Sequence, residues 1–168
     1  MSHFAVEMTN IPGEETLTDF AGQITCQGMS HGIDLPVVAK GTDRTDGASL
    51  HGSVVLEREI DSATPLLREA CARSLNIADV TITRIKMVGA QIQPADIVKL
   101  KTVKVVQVFL DTPVDPATGQ PSDQPVEFIV LDYEEIKWEH KVYANGVATD
   151  TLAGSYDTTT MTRDVSIA

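Results

Sequence analysis

The strongest constraint on the fold is a long strand-like stretch near the end of the chain, residues 126–142. Apolar residues such as Ile136 and Trp138 alternate there with the charged residues from Lys137 to Lys141, and this two-residue period is typical of β-structure. Seventeen strand residues would reach roughly 56 Å, whereas a chain of 168 residues folds into a globule about 40 Å across. The stretch must therefore curl, bulge near Asp132–Glu135 or project onto a neighbour, and curling favours a barrel.

Most of the chain has the composition of strands. The first half of the long stretch is apolar at both alternating positions, so we expect both of its faces to be covered. Further runs rich in Val, Ile and Thr predict strands at Phe4–Ile11, Phe20–Ile33, Gly52–Ile60, Ala78–Val88, Ile97–Leu110 and Thr151–Thr162. The sequence therefore predicts a mainly β protein.

Two of these runs, residues 78–88 and 97–110, are predicted to form a hairpin across a loop at Gly89–Asp96. This pairing would set Arg84 near Lys101 and Lys86 near Lys99. Like charges that lie opposite each other destabilise a sheet unless water or acidic side chains surround them. Two interpretations remain open: a solvated face, or pairing with acidic residues of another subunit.

One helix is predicted, over Asp61–Arg73. Thr64 can cap it, and Pro65 suits the first turn, where the missing N–H costs nothing. Leu67, Ala70 and Cys71 then share one face, which we expect to pack on the sheet. With no visible domain boundary, the chain is predicted to form a single domain over residues 1–168.

Two long stretches lack periodicity. Residues 34–50 contain Leu35, Pro36, Val37 and Val38, which an exposed loop would not need, so we interpret this stretch as a docking arm. Residues 111–124 contain three prolines and predict a solvated hairpin tip.

Composition excludes several classes of function. Acidic residues outnumber basic ones by 24 to 13, for a net charge of −11, which opposes nucleic-acid binding. Aromatic residues make up 5% of the chain, too few for a module that displays flat rings to a ligand. No apolar run reaches the roughly 18 residues of a membrane span, and the first ten residues do not resemble a signal peptide. Cys26 and Cys71 are predicted to be reduced thiols of a protein folded in the cytosol.

No motif predicts catalysis, a metal site or a cofactor. Gly28–Gly32 fits the serine-nucleophile pattern G-x-S-x-G, but Ile33–Pro36 cannot begin the helix that this motif requires. The four histidines lie in separate segments without ligand spacing. We interpret Ser30 as a strand residue between two glycines. A soluble β-barrel hydrolase that uses Ser30 and a monomeric ligand-binding β-sandwich remain as alternatives.

Several short motifs resemble one known family. They are Ile11-Pro-Gly-Glu14, the strand Thr25–Gly32, the helix entry Asp61-Ser-Ala-Thr-Pro-Leu-Leu67, the helix end Ala70-Cys-Ala72 and the late strand Ile136-Lys-Trp-Glu139. In order and spacing the chain resembles the type VI secretion tube proteins of the haemolysin-coregulated protein (Hcp) family over residues 4–163. The Pro-rich residues 111–124, the acidic charge balance and a final strand without tryptophan depart from the family pattern.

The resemblance implies a β-barrel of two antiparallel sheets with one flanking helix. It also implies homohexameric rings that stack into a tube, partnership with a contractile sheath and spike-tip proteins, and secreted effectors carried in the lumen. The protein would be cytoplasmic and then secreted through the type VI apparatus without a signal peptide. A tail-tube subunit of a phage-like contractile particle is the related alternative.

A ring must bring many negative charges together, so assembly is predicted to need paired charges and to respond to ionic strength. The predicted subunit or ring interface combines apolar residues of the arm with cations and acids on the sheet. These residues are Leu35, Pro36, Val37, Val38, Arg84, Lys86, Lys99, Lys101, Glu57, Glu59 and Glu139.

Overall fold

Strands make up most of the computed structural model, which describes residues 3–40, 43–88, 91–114, 119–121 and 125–168; for residues 38–40 and 43–46 it describes only the backbone. The strands are β1 (His3–Met8), β2 (Ile24–Cys26), β3 (Gly28–Ser30), β4 (Ile33–Asp34), β5 (Val37–Lys40), β6 (Asp43–Asp46), β7 (Leu50–His51), β8 (Val54–Glu59), β9 (Asn76–Val88), β10 (Gln91–Asp111), β11 (Val126–Asp132), β12 (Glu135–Ala144) and β13 (Val147–Asp157). The α-helix is α1 (Thr64–Ala72), and a short 3-10 turn spans Thr18–Phe20.

The main sheet is antiparallel and closes on itself. Its strand order is β2-β1-β9-β10-β11-β8-β3, and β2 and β3 are separated along the chain only by Gln27. The stretch 24–30 pairs with β1 through β2 and with β8 through β3, and the Gln27 amide donates to the Glu57 carbonyl at 2.8 Å. One continuous stretch thus joins both edges of the sheet, and the predicted mainly β barrel is confirmed.

A second sheet branches from the long strand β10. The later part of β10 pairs with β11, while its earlier part pairs with β12, which pairs in turn with β13. The long stretch predicted at 126–142 therefore breaks at residues 133–134, between β11 and β12. The predicted interruption near Asp132–Glu135 is thus confirmed.

The predicted register of the hairpin between β9 and β10 is wrong. Arg84 lies opposite Asp96, and Lys99 lies opposite Thr81. Strand β10 begins at Gln91, so the connection is shorter than the predicted loop, and a bulge between Pro94 and Asp96 shifts the pairing. The error arises at Pro94, because a proline within a strand-like run predicts a loop but is also tolerated at a bulge.

Helix α1 packs its apolar face against the barrel. Pro65 lies in the first turn as predicted, and Leu67 and Ala70 are buried. The predicted cap is wrong: the helix is preceded by Ala63, whose amide donates to the Asp61 carboxylate at 2.7 Å, and Thr64 is already helical. The helix meets the core formed inside the barrel by apolar residues such as Val6, Ile24, Leu56, Ile82, Leu100, Ile129 and Ile136. No helix in the described part of the chain is long and apolar enough to span a membrane.

The two stretches predicted as irregular differ from each other. Residues 34–50 are largely regular, because β4 pairs with β7 and β5 pairs with β6 in a two-part hairpin. The stretch at 111–124 does connect the antiparallel strands β10 and β11, with a bridge between Val114 and Pro121; residues 115–118 and 122–124 of this predicted tip lie outside the described residues.

Candidate assembly surfaces

The arm, defined here as residues 33–51, exposes large apolar side chains. Leu35 is 54% exposed, Val37 40% and Leu50 59%. Burial of these apolar side chains away from water would be energetically favourable. Pro36 is exposed, and its carbonyl accepts a hydrogen bond from the Gly47 amide at 2.9 Å, which holds the hairpin together. Val38 lies on β5, with its side chain outside the described residues. The predicted apolar arm residues thus lie on a regular projection with an uncovered apolar surface.

Both ends of the arm are attached to one tyrosine. His31 Nε2 lies 2.7 Å from the Tyr133 hydroxyl, and His51 Nδ1 lies 3.2 Å from it. The His51 ring stacks on Tyr156 at 4.6 Å between centroids and 14° between planes, and both histidine rings lie against Trp138. These contacts fix the base of the arm to the corner between β11 and β12.

Burial controls the protonation of these groups. It lowers the pKa of His51, and together with the neighbouring His51 it lowers the pKa of His31 against a smaller opposing effect of a hydrogen bond with Gly52. Burial, with a smaller contribution from the charge of Asp132, raises the pKa of Tyr133 to about 12. The site therefore favours two neutral imidazoles around a neutral phenol.

A second uncovered surface is the open edge of β13. Among the described strands β13 pairs only with β12, and its first eight residues are all exposed. Val147 and Leu152 expose 66% and 60% of their surface. An edge strand of this length offers a row of backbone donors and acceptors to another chain.

The four predicted cations all have partners within the chain. Arg84 Nε donates to the Asp96 carboxylate at 2.5 Å, and Lys86 Nζ lies 5.4 Å from the centroid of the Tyr143 ring. Lys99 lies 3.4 Å from Glu139, so these two predicted interface residues pair with each other within one subunit. Lys101 donates to Ser166 Oγ at 2.6 Å.

The predicted acids of β8 are separate from those cations. Glu57 and Glu59 are exposed on β8, and no salt bridge within the described residues joins either of them to the four cations. In the register, Glu57 lies opposite Phe128, whose ring stacks with Phe109 at 4.9 Å. Phe109 on β10 is 41% exposed, and the outward-facing residues of β11 are half-buried, so the outer face of β11 is only partly covered, contrary to the prediction.

Sequence reasoning missed the histidine–tyrosine contacts and the β13 edge. His51 is the last residue of the arm and His31 lies two residues before its start, whereas Tyr133 falls at the predicted break in the long stretch. These positions at the ends of the arm and at the break were a signal in the sequence. Their spacing does not predict that the three side chains meet.

The structure also decides the question of Ser30. It ends strand β3, and the following residues lead into strand β4 instead of a helix. Ser30 is therefore not on a strand-to-helix nucleophile turn. Among the described residues, no group of three or more His, Cys, Asp or Glu could hold a metal ion.

Comparison with known proteins finds one matching family model and several solved structures of similar fold. A family model described as "Type VI secretion system effector, Hcp" matches residues 6–140. The fold is similar to a solved type six secretion system protein, with TM-score 0.86 at 20% identity over 98% of this chain and 100% of that one. It is also similar to Hcp1 from Salmonella typhimurium, with TM-score 0.74 at 17% identity over 95% and 97% of the two chains.

A more distant likeness is to a chain of the anti-feeding prophage baseplate, with TM-score 0.52 at 17% identity over 82% of this chain and 91% of that one. No curated protein sequence matches the chain.

Proposed function

The chain belongs to the Hcp family of type VI secretion proteins, and on that premise we propose that six copies form a ring through the arm and the β13 edge. The family is one of structural tube proteins, and this chain is a tube subunit, not an enzyme. In the proposed assembly the rings stack, a contractile sheath expels the tube behind a spike tip, and small effectors travel in its lumen.

The observation that carries the proposal is that two different surfaces are left uncovered by the chain itself. The arm exposes Leu35, Val37 and Leu50, and the β13 edge exposes Val147 and Leu152. Contacts between two different surfaces of identical subunits are heterologous, and they generate closed rings when the rotation between neighbours closes.

The β13 edge suits contact with a neighbour's backbone. Adding a strand to an open edge gains main-chain hydrogen bonds, and alternate side chains supply specificity. An edge left open in solution would invite uncontrolled aggregation. A ring in which every copy covers the edge of the next would remove this liability.

Charge sets the condition for assembly. Six copies at −11 each would carry a formal charge of −66, and their mutual repulsion is reduced as salt shortens the screening length. The Debye length is about 14 Å at 0.05 M salt and about 4 Å at 0.5 M salt. We therefore expect rings to be more abundant at the higher salt concentration.

Native mass spectrometry and negative-stain imaging of the purified protein test this function. We expect hexamers for the wild type and mainly monomers for Leu35→Asp and Leu152→Asp, since each buries a charge in a proposed contact. Leu66→Asp is the matched control, because Leu66 is an exposed leucine on α1, outside both surfaces. A wild-type protein that stays monomeric at high concentration and high salt would contradict the proposal.

The likeness to the anti-feeding prophage supports a related candidate, a tail-tube subunit of a phage-like particle. That likeness concerns the fold alone, whereas the family model is specific to type VI secretion, so the secretion tube is favoured. Genes for a membrane complex beside this gene support the secretion tube, and genes for a phage-like particle support the alternative.

A further inference from the structure

Tyr133 lies between the two ends of the arm. Its hydroxyl is within hydrogen-bond distance of His31, which precedes β4, and of His51, which ends β7. The two histidines are separated by the whole arm along the chain, yet their ring nitrogens lie within about 6 Å of each other because they reach the same oxygen. The arm is therefore held at both ends by one atom.

We propose that His31, His51 and Tyr133 form a pH-sensitive clamp that positions the arm for contact with a second copy of this chain, and that protonation of the two histidines releases the arm. The consequence for assembly rests on the function proposed above, whereas the clamp itself is a property of the single subunit.

The chemistry of the three groups requires that at least one of the two histidines be neutral. A phenol can donate its one proton to a bare imidazole nitrogen while it accepts an N–H from the second ring. An imidazolium carries N–H on both nitrogens. Once both rings are protonated, neither offers a bare nitrogen that can accept the hydroxyl proton of Tyr133. Two positive charges would then lie close together in a half-buried site, where their repulsion is poorly screened.

The surroundings offer little compensation for that charge. A cavity of about 220 Å³ beside His51 is lined by Ser49, Leu50, Asp132, Tyr133, Tyr156, Thr158 and Met161. Asp132 is the one charged side chain among these residues. On β12, Lys137 and Glu139 are the neighbours of Trp138 and therefore lie on the opposite face of the strand. On β13, Asp157 follows Tyr156 and likewise lies on the opposite face.

The direction of the pH dependence follows from burial. In the attached arm the pKa of each histidine lies below its ordinary value of 6.5, and release returns the side chains to water. Protons therefore bind more tightly to the released arm. Protonation therefore does not oppose attachment above pH 6.5, and it weakens attachment as the pH falls below that value.

The chain carries its own probe of this titration. Trp138 is the single tryptophan, and its ring centroid lies 6.3 Å from that of His31 and 6.4 Å from that of His51. Release of the arm moves both rings away from the indole and admits water to it. We expect the Trp138 emission maximum to shift to longer wavelength as the pH falls, with a midpoint below pH 6.5, and this shift to be lost in the double variant His31→Gln/His51→Gln.

Hydrogen exchange measures release directly. After correction for intrinsic rates, we expect amides of residues 33–37 and 47–51 to exchange about tenfold faster at pH 5.5 than at pH 7.5 in the wild type. The double glutamine variant should show no such change, because Gln keeps hydrogen-bonding groups without titrating. Tyr133→Phe should exchange fast at both pH values. His3→Gln is the control, since His3 pairs with Glu15 away from the arm.

Native mass spectrometry at the same two pH values separates the two proposals. A pH-dependent arm in a protein that forms rings at neither pH would support the clamp and contradict the ring. Rings at both pH values with a pH-independent arm would overturn the clamp and leave the ring. Equal pH dependence in the wild type and the double glutamine variant would also overturn the clamp.

Discussion

Arg58 and Glu127 form an ion pair whose two side chains are both fully buried, with Arg58 Nε 3.6 Å from Glu127 Oε2. Thr64 Oγ1 donates to the same carboxylate oxygen at 3.0 Å, and Arg68 Nη2 lies 3.1 Å from the other oxygen. Arg58 also donates to Asp61 and to Thr64 Oγ1. This network joins strands β8 and β11 to the beginning of helix α1.

Replacing Glu127 with Gln should destabilise the fold strongly. The buried Arg58 guanidinium would lose its fully buried counter-charge and keep only Asp61, which is partly exposed; breaking a buried pair in this way costs up to about 3–5 kcal/mol. Within the described residues one Arg58 nitrogen, Nη1, already has no hydrogen-bond partner, so the site has no spare acceptor to offer. The free energy of unfolding in urea measures the loss.

Two further variants check that explanation. The double variant Arg58→Met/Glu127→Leu should be more stable than Glu127→Gln, because it removes both charges and fills the space with apolar atoms. Arg68→Ala should cost less than about 1 kcal/mol, since half of that side chain is exposed. A Glu127→Gln protein as stable as the wild type would rule out an energetic role for the pair.

Gly13 should not tolerate even a methyl group. A Cβ atom there would lie 2.4 Å from the Gln23 carbonyl oxygen and 2.5 Å from Ile24 Cα, both backbone atoms that cannot turn aside. We expect Gly13→Ala to cost about 1–3 kcal/mol. Gly32→Ala is the matched control, because a Cβ atom at Gly32 meets nothing within 4 Å. Thermal unfolding of the two variants tests the difference, and equal midpoints would contradict it.

The two cysteines should differ sharply in reactivity. Both are free thiols, but burial raises the pKa of Cys26 from 9.0 to about 12. Because the thiolate is the reactive form, this shift alone leaves Cys26 about a thousandfold less reactive than a thiol of ordinary pKa. Mass spectrometry after iodoacetamide treatment at pH 8 should show one modification, on the partly exposed Cys71. Two modifications are expected in guanidinium, and fast labelling of folded Cys26 would refute the buried position.

Asp157 should stabilise the chain in a pH-dependent way. Hydrogen bonds from the Thr159 hydroxyl and from the Thr160 and Thr159 amides lower the pKa of Asp157 from 3.8 to about 2. A carboxyl group whose folded pKa is lowered contributes stability above its unfolded pKa, and that contribution is lost as the pH falls from 3.8 toward 2.

Thermal midpoints of Asp157→Ala and the wild type should therefore differ at pH 6 and converge as the pH approaches 2. Asp150→Ala serves as the control, because the Asp150 carboxylate accepts one local hydrogen bond, from the Thr151 amide. A difference that stays constant down to pH 2 would show that the lost hydrogen bonds act without the charge.

Part of the buried ion pair could have been read from the sequence. Arg58 occupies the same alternating positions as the buried Val54 and Leu56, and Glu127 those of Ile129 and Leu131. A charge in an apolar register signals a buried partner, but which residue supplies it depends on the neighbouring strand. The position of Glu127 opposite Arg58 is fixed by the pairing of β8 with β11.

The arm shows the same division. Its apolar residues were visible as side chains that an exposed loop does not need, and this predicted a projecting surface. The hairpin within it was missed because Gly, Thr, Ser and Asp dominate its later half and give no alternating pattern. Pairing of β5 with β6 supplies backbone hydrogen bonds that do not depend on side-chain pattern.

The sequence by itself determined the local structure: a chain made mostly of strands, one helix with Pro65 in its first turn, and a break near Tyr133. These features follow from periodicity, proline geometry and the limited width of the domain. Tertiary structure alone decided that Arg84 lies opposite Asp96 and that His31 and His51 meet on Tyr133. A two-residue period is satisfied by every second register, so only the turn, the bulge and the closure of the barrel select among them.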